Sequence, residues 1–207
     1  ILRPSDSVEP RKIAWFQCVG SRDQEHPYCS AVCCMYATKE AMLAKEHLPP
    51  GAEFTIFLMD LRAFGKGFDA YFKRAQEEGV RYVRCRASAL TEVPSSKSLL
   101  LQYENESGEL VTEEFDMVVL SVGLTAPKGA AELAKAAGVA LNSFGFGDSS
   151  PSAPLETTRP GVYLCATFRG PKDIPDSVTE ASGAAGEVQR LLAAGRGTLV
   201  RPKEFPM

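Results

Sequence analysis

The sequence contains no long hydrophobic run, only two histidines and no excess of charge of one sign. No apolar stretch approaches the roughly 20 residues that a membrane-spanning helix requires. The 23 basic residues nearly balance the 26 acidic residues, and no basic cluster of the kind that binds nucleic acid is present. We therefore expect a globular protein without a membrane span and without a nucleic-acid partner.

The start of the chain also lacks two features. It does not have the layout of a signal peptide, and its first residue is Ile1 rather than methionine. We therefore expect the chain to be a piece of a longer protein.

A glycine-rich turn is missing after the first predicted strand. Residues 12–17, KIAWFQ, are short, apolar and aromatic, as in a buried strand. A dinucleotide-binding domain would continue with small residues that meet the pyrophosphate. This chain has Cys18 and Arg22 there. The sequence thus predicts a dinucleotide-type domain in which cysteines have replaced the nucleotide site.

The remaining sequence alternates between strand and helix patterns, which is typical of layered α/β domains with parallel strands. Apolar runs predict strands at 54–58, 80–84, 117–123 and 162–166. Helices are predicted at about 30–47, 68–78, 130–137 and 176–194. Runs at 98–103 and 110–115 predict an antiparallel hairpin. We expect a Rossmann-like parallel sheet with helices on both faces, and two parts, 11–124 and 125–207.

Four of the six cysteines lie within 17 residues, at Cys18, Cys29, Cys33 and Cys34. A secreted disulfide scaffold would be shorter and would spread its cysteines along the chain. The clustering instead indicates a reducing compartment, so we expect a cytoplasmic protein with a metal or redox site. The other two cysteines lie in strand-like surroundings and are interpreted as core thiols.

Thiolates are ligands of both iron–sulfur clusters and zinc. Cys29 and Cys33 are four residues apart and would share one face of the predicted helix. The N-terminus of that helix would favour an anionic group. Zinc usually uses paired Cys-x2–4-Cys units, and only the 29–33 pair has this spacing. Zinc and metal-free structural thiols remain open alternatives.

A second motif spans residues 157–178, where a predicted strand opens into a loop that enters a helix. Pro175 lies near the first turn of that helix, and a helix N-terminus offers free amides and a positive dipole end. This arrangement suits a phosphate or the polar edge of a flavin ring.

Together these blocks resemble the heterodisulfide reductase A family of iron–sulfur flavoproteins. The resemblance is carried by QCVGSR at 17–22, YCSAVCCMYA at 28–37, DLRAFGKG at 60–67, DMVVLSVGL at 116–124 and GPKDIP at 170–175. It covers about residues 11–193.

The resemblance implies an FAD protein built like thioredoxin reductase, with a nicotinamide-type domain inserted into the flavin domain. Residues 11–124 would be a degenerate nicotinamide-type domain, and 125–207 the C-terminal part of the flavin domain. The four clustered cysteines would hold a [4Fe–4S] cluster. The flavin would be approached by Gly170, Pro171, Lys172, Asp173, Ile174 and Pro175.

The chain lacks the N-terminal FAD fingerprint and the ferredoxin modules of longer family members. The resemblance therefore implies a central and C-terminal fragment of an oxidoreductase subunit that is not active alone. Its FAD would be bound largely by a missing N-terminal part. Family members pass electrons among flavin, clusters and partner subunits, and several take part in flavin-based electron bifurcation.

Several further expectations concern partners and neighbouring residues. Other redox subunits and ferredoxin are the expected partners, and a homo-oligomer stays open. Arg22, Arg62 and Lys66 would balance cluster or flavin charge, and Ser21 and Tyr28 would tune the cluster. The alternative function is a structural zinc-binding or cofactor-free module that docks partner subunits.

Overall fold

A computed structural model describes residues 1–195 of the chain. These residues divide into two compact units, Ile1–Gly123 and a second one that begins at Leu124. The predicted second part runs to residue 207, and its last positions, 196–207, lie outside the described residues. The identity of the units as a nicotinamide-type domain and part of a flavin domain stays a prediction.

The first unit contains seven strands and two helices. The strands are β1 (Lys12–Val19), β2 (Glu53–Leu58), β3 (Arg81–Arg84), β4 (Ala87–Glu92), β5 (Leu99–Glu104), β6 (Leu110–Phe115) and β7 (Met117–Val122). The helices are α1 (Cys33–His47) and α2 (Phe68–Glu77). A parallel sheet has the order β3-β2-β1-β7, and an antiparallel sheet has the order β4-β5-β6.

Alternation along β1 places successive side chains on opposite faces of the parallel sheet. Ile13 and Trp15 belong to a buried cluster with residues of α1 and α2. Ala14 belongs to a second cluster, which contains Phe57 of β2 and Phe115 of the antiparallel sheet. The predicted Rossmann-like α/β class and the hairpin are confirmed. One detail differs, because in this unit the helices cover one face and the antiparallel sheet covers the other.

One helix boundary and two strand assignments differ from the sequence-based expectation. Helix α1 begins at Cys33, so Cys29 lies in the loop before it and the two do not share a helix face. Strand β4 was not predicted, because its alternating side chains are mostly exposed. The predicted strand at 162–166 is wrong: the structure has only an isolated bridge between Glu156 and Tyr163 there, followed by a 3-10 helix over Ala166–Phe168.

The second unit contains α3 (Ala130–Ala137) and α4 (Ile174–Leu192). Helix α4 has no buried residue, although it is amphipathic. Its exposed apolar residues include Ile174, Val178 and Leu191. Within residues 1–195, no helix is long and apolar enough to cross a membrane.

Candidate functional site

Cys18 lies where β1 departs from regular pairing. The register between β1 and β7 shifts between Phe16 and Val19, and Cys18 adopts a left-handed backbone with φ of 61°. A non-glycine residue in this region is uncommon and is typically held there by its surroundings. This irregularity lies one residue before β1 ends at Val19, after which the chain enters the loop that carries the next cysteine.

The loop from Cys18 to α1 is fixed by local hydrogen bonds. The Arg22 N–H donates to the Tyr28 carbonyl at 3.1 Å, and Asp23 Oδ1 accepts the backbone N–H of His26 at 2.7 Å. Two further non-glycine residues, Arg22 and Ala31, have φ of 55° and 64°. Left-handed residues of this kind cost free energy and cluster at functional sites.

Cys33 and Cys34 form the first turn of α1 and are nearly inaccessible, with 8% and 7% of their surface exposed. The residue before the helix is Val32, which supplies no side-chain cap, and the first turn contains no acidic residue. The amides of this helix end are therefore not capped by a side chain and favour a negative charge. Thr38 anchors the turn by donating its hydroxyl to the Cys34 carbonyl at 2.8 Å.

The four thiols are electrostatic neighbours. Burial, and after it the charges of Cys34, Cys18 and Cys29, raise the pKa of Cys33 to about 11. Burial also raises the pKa of Cys34, with Cys18 and Cys29 again contributing. The structure thus brings together the four cysteines that the sequence predicted as one group.

Two backbone amides point at sulfur atoms of this group. The N–H of Ala31 donates to Cys29 Sγ at 3.3 Å, and the N–H of Arg62 donates to Cys34 Sγ at 3.5 Å. Donors of this kind stabilise thiolates rather than neutral thiols. All six cysteines are free. The donor set therefore suits a group that binds thiolates.

Among the described residues, no group of three or more His, Cys, Asp or Glu side chains has a geometry that could hold a metal ion. The assignment of Cys18, Cys29, Cys33 and Cys34 as metal ligands therefore stays a prediction, supported by their proximity and by the donors around them.

A small ion cluster lies beside the cysteines. The Asp60 carboxylate binds the guanidinium of Arg22 in a two-pronged contact and that of Arg62 at 3.2 and 3.3 Å. Hydrogen bonds from Arg62 and Arg22 lower the pKa of Asp60. The positive charge of Arg22 lowers the pKa of Cys18, although burial of that thiol has the larger, opposite effect. Two cations and one anion leave a net positive charge beside the thiols.

The other residues singled out near this loop have different positions. Ser21 is buried, with 1% of its surface exposed. Tyr28 is half-buried and contacts His26 edge-on, with ring centroids 5.9 Å apart. Lys66 and His47 are exposed. Cys85 follows β3 and is half-buried, and its pKa is raised by burial alone to about 11.

The predicted flavin loop leads into α4, and two of its polar side chains are already engaged. Asp173 caps the helix, because its Oδ1 accepts the N–H of Asp176 at 2.8 Å. The Lys172 side chain is 8% exposed and pairs with Glu180 at 3.0 Å. Only the backbone and the exposed residues of 170–175 remain available to a ligand.

Glu180 was missed by the sequence reasoning. Its carboxylate accepts the N–H of Ala166 at 2.9 Å and also pairs with Arg169 and Lys172. A helical glutamate is ordinarily a solvated surface residue. The only sequence signal was a pair of basic residues, Arg169 and Lys172, in the segment before α4. Basic residues in such a segment are too common to predict an ion pair.

Comparison with known proteins extends this description. Over 94% of its length the chain is 43% identical to the A subunit of H(2):CoB-CoM heterodisulfide,ferredoxin reductase of Methanothermobacter marburgensis. It is 45% identical to the H(2)/formate-dependent counterpart of Methanococcus maripaludis and 43% identical to the iron-sulfur A subunit of CoB--CoM heterodisulfide reductase of Methanocaldococcus jannaschii. The chain spans 30% of the length of each relative. No family model matches it.

Solved structures with a similar fold include thioredoxin reductases. That of T. acidophilum has a TM-score of 0.55 at 16% identity, and that of Lactococcus lactis has 0.56 at 18%. Each match covers 88% of this chain and 53% of the other. The predicted thioredoxin-reductase-like architecture and the resemblance to the heterodisulfide reductase A family are both confirmed.

Proposed function

We propose that this chain is an electron-transfer segment of an oxidoreductase subunit that uses FAD and a [4Fe–4S] cluster. The chain is homologous to about a third of the A subunit of heterodisulfide reductase. Electrons would pass between flavin, cluster and partner subunits, including in flavin-based electron bifurcation. The fragment would not catalyse a complete reaction alone. A cytoplasmic location is part of the same proposal.

The observation that carries the proposal is the electrostatic grouping of Cys18, Cys29, Cys33 and Cys34. These thiols lie at the end of a strand, in a fixed loop and at an uncapped helix start. A cluster bound there would accept and release single electrons. The chain's own residues would hold it and would bury Cys33 and Cys34 away from water.

The surroundings favour a negatively charged cluster. The start of α1, the amides of Ala31 and Arg62, and the guanidinium of Arg22 all present positive charge or N–H donors toward the thiols. Hydrogen bonds to sulfur and nearby net charge are the protein's levers on a cluster's reduction potential. In this proposal Asp60 is a positioning residue, because it acts through the two arginines.

The flavin part of the proposal rests on the loop 170–175. Asp173 and Lys172 would act by fixing this loop, since both are bound within the protein. The backbone at Gly170 would approach the flavin, because a Cβ added there would meet open space. The larger part of the FAD site would be supplied by regions that the relatives have and this chain does not cover.

The names of the relatives support the proposed partners. They describe single subunits of assemblies that act on the CoB-CoM heterodisulfide, and two of them also name ferredoxin. We therefore propose that the intact protein contacts other redox subunits and exchanges electrons with ferredoxin. A homo-oligomer is a further arrangement to be tested.

Metal analysis of anaerobically purified protein tests the proposal. We expect about four iron and four acid-labile sulfide per chain, the composition of a [4Fe–4S] cluster. The Cys33→Ser variant should lose them, and Cys85→Ser should retain them because that cysteine is outside the group. Both variants are compared at equal protein concentration and with verified folding.

The alternatives give different results in the same experiment. One zinc and no sulfide would replace the proposal with a structural zinc module that docks partner subunits. No metal, with unchanged folding when all four cysteines are replaced, would favour a cofactor-free docking module. Equal iron loss from Cys33→Ser and Cys85→Ser would contradict the assignment of the four ligands.

A further inference from the structure

Thr38 is a fully buried hydroxyl residue on the second turn of α1, with none of its surface exposed. Its Oγ1 lies 2.8 Å from the carbonyl oxygen of Cys34 and 3.0 Å from the hydroxyl oxygen of Tyr82 on β3. The Thr38 hydroxyl therefore links a strand of the parallel sheet to the first turn of α1, where Cys33 and Cys34 are two of the four proposed cluster ligands.

The direction of both hydrogen bonds follows from the protons available. A threonine hydroxyl has a single proton to donate, but its oxygen can also accept. The Cys34 carbonyl has no proton, so the Thr38 hydroxyl must donate to it. The proton between Thr38 and Tyr82 therefore belongs to Tyr82, which donates to Thr38. The two O–H groups thus form a chain in which each donates toward Cys34.

Packing fixes the Tyr82 end of this chain. The Tyr82 ring meets the Phe72 ring edge-on, with centroids 4.6 Å apart, and packs against the buried cluster beneath α1 and α2. Burial raises the pKa of Tyr82, and the charge of Cys34 adds to the rise, so the hydroxyl stays protonated at neutral pH. A helical threonine that bonds the carbonyl four residues earlier is common. The second hydroxyl, supplied by the sheet, distinguishes Thr38 from that ordinary case.

Cys34 therefore receives hydrogen bonds on two of its atoms. Its carbonyl oxygen accepts from Thr38, and its Sγ accepts from the N–H of Arg62 at 3.5 Å. Hydrogen bonds in a chain polarise one another, and a buried position strengthens them. Groups that orient a ligand and hydrogen-bond around it influence both the retention and the potential of a bound metal centre.

We propose that Tyr82 and Thr38 form a hydroxyl relay that fixes the ligand Cys34 and raises the reduction potential of the cluster. This inference rests on the proposed function. Reduction brings one electron to the cluster and neither makes nor breaks a bond of the relay, so the site gains one negative charge. The two O–H dipoles present their positive ends toward Cys34 and stabilise that charge. Both are positioning residues, because they act through Cys34.

Two variants interrupt the relay at different links. Tyr82→Phe removes only the phenolic oxygen, and Thr38→Val removes the second hydroxyl at nearly unchanged side-chain shape. Thr38→Ser is the conservative variant, because serine keeps a hydroxyl that can donate to the Cys34 carbonyl. Tyr71→Phe is the matched control, since Tyr71 packs against the same buried cluster while its ring faces Arg74. Each protein is purified without oxygen, and its iron content is measured before comparison.

The readout is the midpoint potential, from titration with a low-potential reductant followed by EPR of the reduced cluster. EPR reports only the molecules that retain a cluster, so partial loss of iron does not distort the potential. We expect Tyr82→Phe and Thr38→Val to lower the potential, and Thr38→Ser and Tyr71→Phe to match the wild type. The double variant Tyr82→Phe, Thr38→Val should have the potential of Thr38→Val alone, because Tyr82 acts through Thr38.

Several results would contradict the inference. A wild-type potential in both Tyr82→Phe and Thr38→Val would overturn it and leave the proposed function intact. Complete loss of the cluster from both would reduce the hydroxyls to structural supports and overturn the tuning role. An equal shift in Tyr71→Phe, or a shift in Thr38→Ser as large as in Thr38→Val, would assign the effect to core packing. Wild-type protein without a cluster signal would overturn the proposed function and this inference together.

Discussion

The backbone N–H of Arg62 donates to the Sγ of Cys34 at 3.5 Å, which ties the loop after β2 to the first turn of α1. In the same segment, Asp60 binds the side chains of Arg62 and Arg22. One short run of chain therefore contributes a donor to sulfur and fixes the charge beside it. Asp60 is itself negative, yet it suits a site for an anionic group because it holds two arginines there, and the net charge of the three side chains is positive.

Replacing Asp60 by asparagine should loosen the two arginines and speed the loss of iron to a chelator several-fold. The pKa of Asp60 is lowered by these arginines, so its stabilising effect is present above its ordinary pKa and is lost as pH falls through the lowered value. The difference in iron loss between wild type and Asp60→Asn should therefore be full at pH 7, where the Asp60 carboxylate is ionised.

Asp69→Asn is the matched control for that experiment. Asp69 is an exposed acid on α2 that pairs with Lys73 at 2.7 Å, away from the cysteine loop. Exposed pairs of this kind contribute little, so chelation kinetics should match the wild type. Equal rates for Asp60→Asn and wild type at pH 7 would show that the ion cluster does not protect the site.

A methyl group at Gly123 should displace the cysteine loop. Its Cβ would lie 2.5 Å from the carbonyl oxygen of Gly20 and 2.9 Å from Ser21 Cβ. We expect Gly123→Ala to lower the free energy of unfolding by roughly 1–3 kcal/mol, the usual cost of overpacking. Urea unfolding measures this.

Gly186→Ala is the comparison, because nothing lies within 4 Å of a Cβ at that helical position. Alanine is a better helix former than glycine by up to roughly 1 kcal/mol, so this variant should match or exceed wild-type stability. Equal stability of Gly123→Ala and wild type would mean that the loop yields without cost.

The sequence predicted the parallel strands, the hairpin and the four-cysteine group because each has a local signal. Strand β7 is an almost continuous apolar run, and the cysteines cluster within 17 residues. Strand β4 has no such signal, since it pairs with β5 while exposing most of its side chains. The strand forms because it pairs with β5, and this pairing cannot be seen in the local sequence of β4.

The error at 162–166 has a tertiary cause. The run at 162–166 is apolar enough for a strand, yet it lacks a neighbour within its own unit beyond one bridge, and it enters a 3-10 helix. The contact of Lys172 and Asp173 with flavin stays a prediction, and no local sequence signal identifies their partners, Glu180 and the N–H of Asp176. Both contacts depend on how α4 packs beside the loop, which no local sequence pattern encodes.

Glu180→Gln should destabilise the loop before α4. The glutamate is 16% exposed and neutralises Lys172, which is 8% exposed, so its loss leaves a buried cation without its counter-charge. We expect a cost of roughly 2 kcal/mol, within the range for a buried partner left unpaired, and faster hydrogen exchange at the Ala166 amide, which donates to this carboxylate. Hydrogen exchange by mass spectrometry resolves the segment.

Glu187→Gln serves as its control, since Glu187 lies on the same helix and pairs with Arg190, whose side chain is 68% exposed. Removing such a pair should change stability little. If both variants exchanged like the wild type at Ala166, the carboxylate of Glu180 would have no role in ordering the loop.

The thiol of Cys85 should make the reduced, metal-free chain less stable in alkali. Burial raises its pKa to about 11, whereas an unfolded chain has its cysteine pKa near 8.5. Between these values the unfolded state has lost the proton and the folded state still binds it. Stability is therefore fully present below about 8.5 and falls by up to roughly 1.4 kcal/mol per pH unit toward 11.

Other groups titrate in the same range, so the useful quantity is the difference in unfolding free energy between wild type and Cys85→Ala. Alanine cannot ionise, and the advantage of the wild type should shrink steadily from about pH 8.5 to 11. Alkylation of Cys85 at about pH 8 should likewise be slow, because the thiolate is the reactive form. A difference in unfolding free energy that stays constant over this range would mean that the thiol ionises at its ordinary pKa, and that the wall around it admits enough water to solvate the charge.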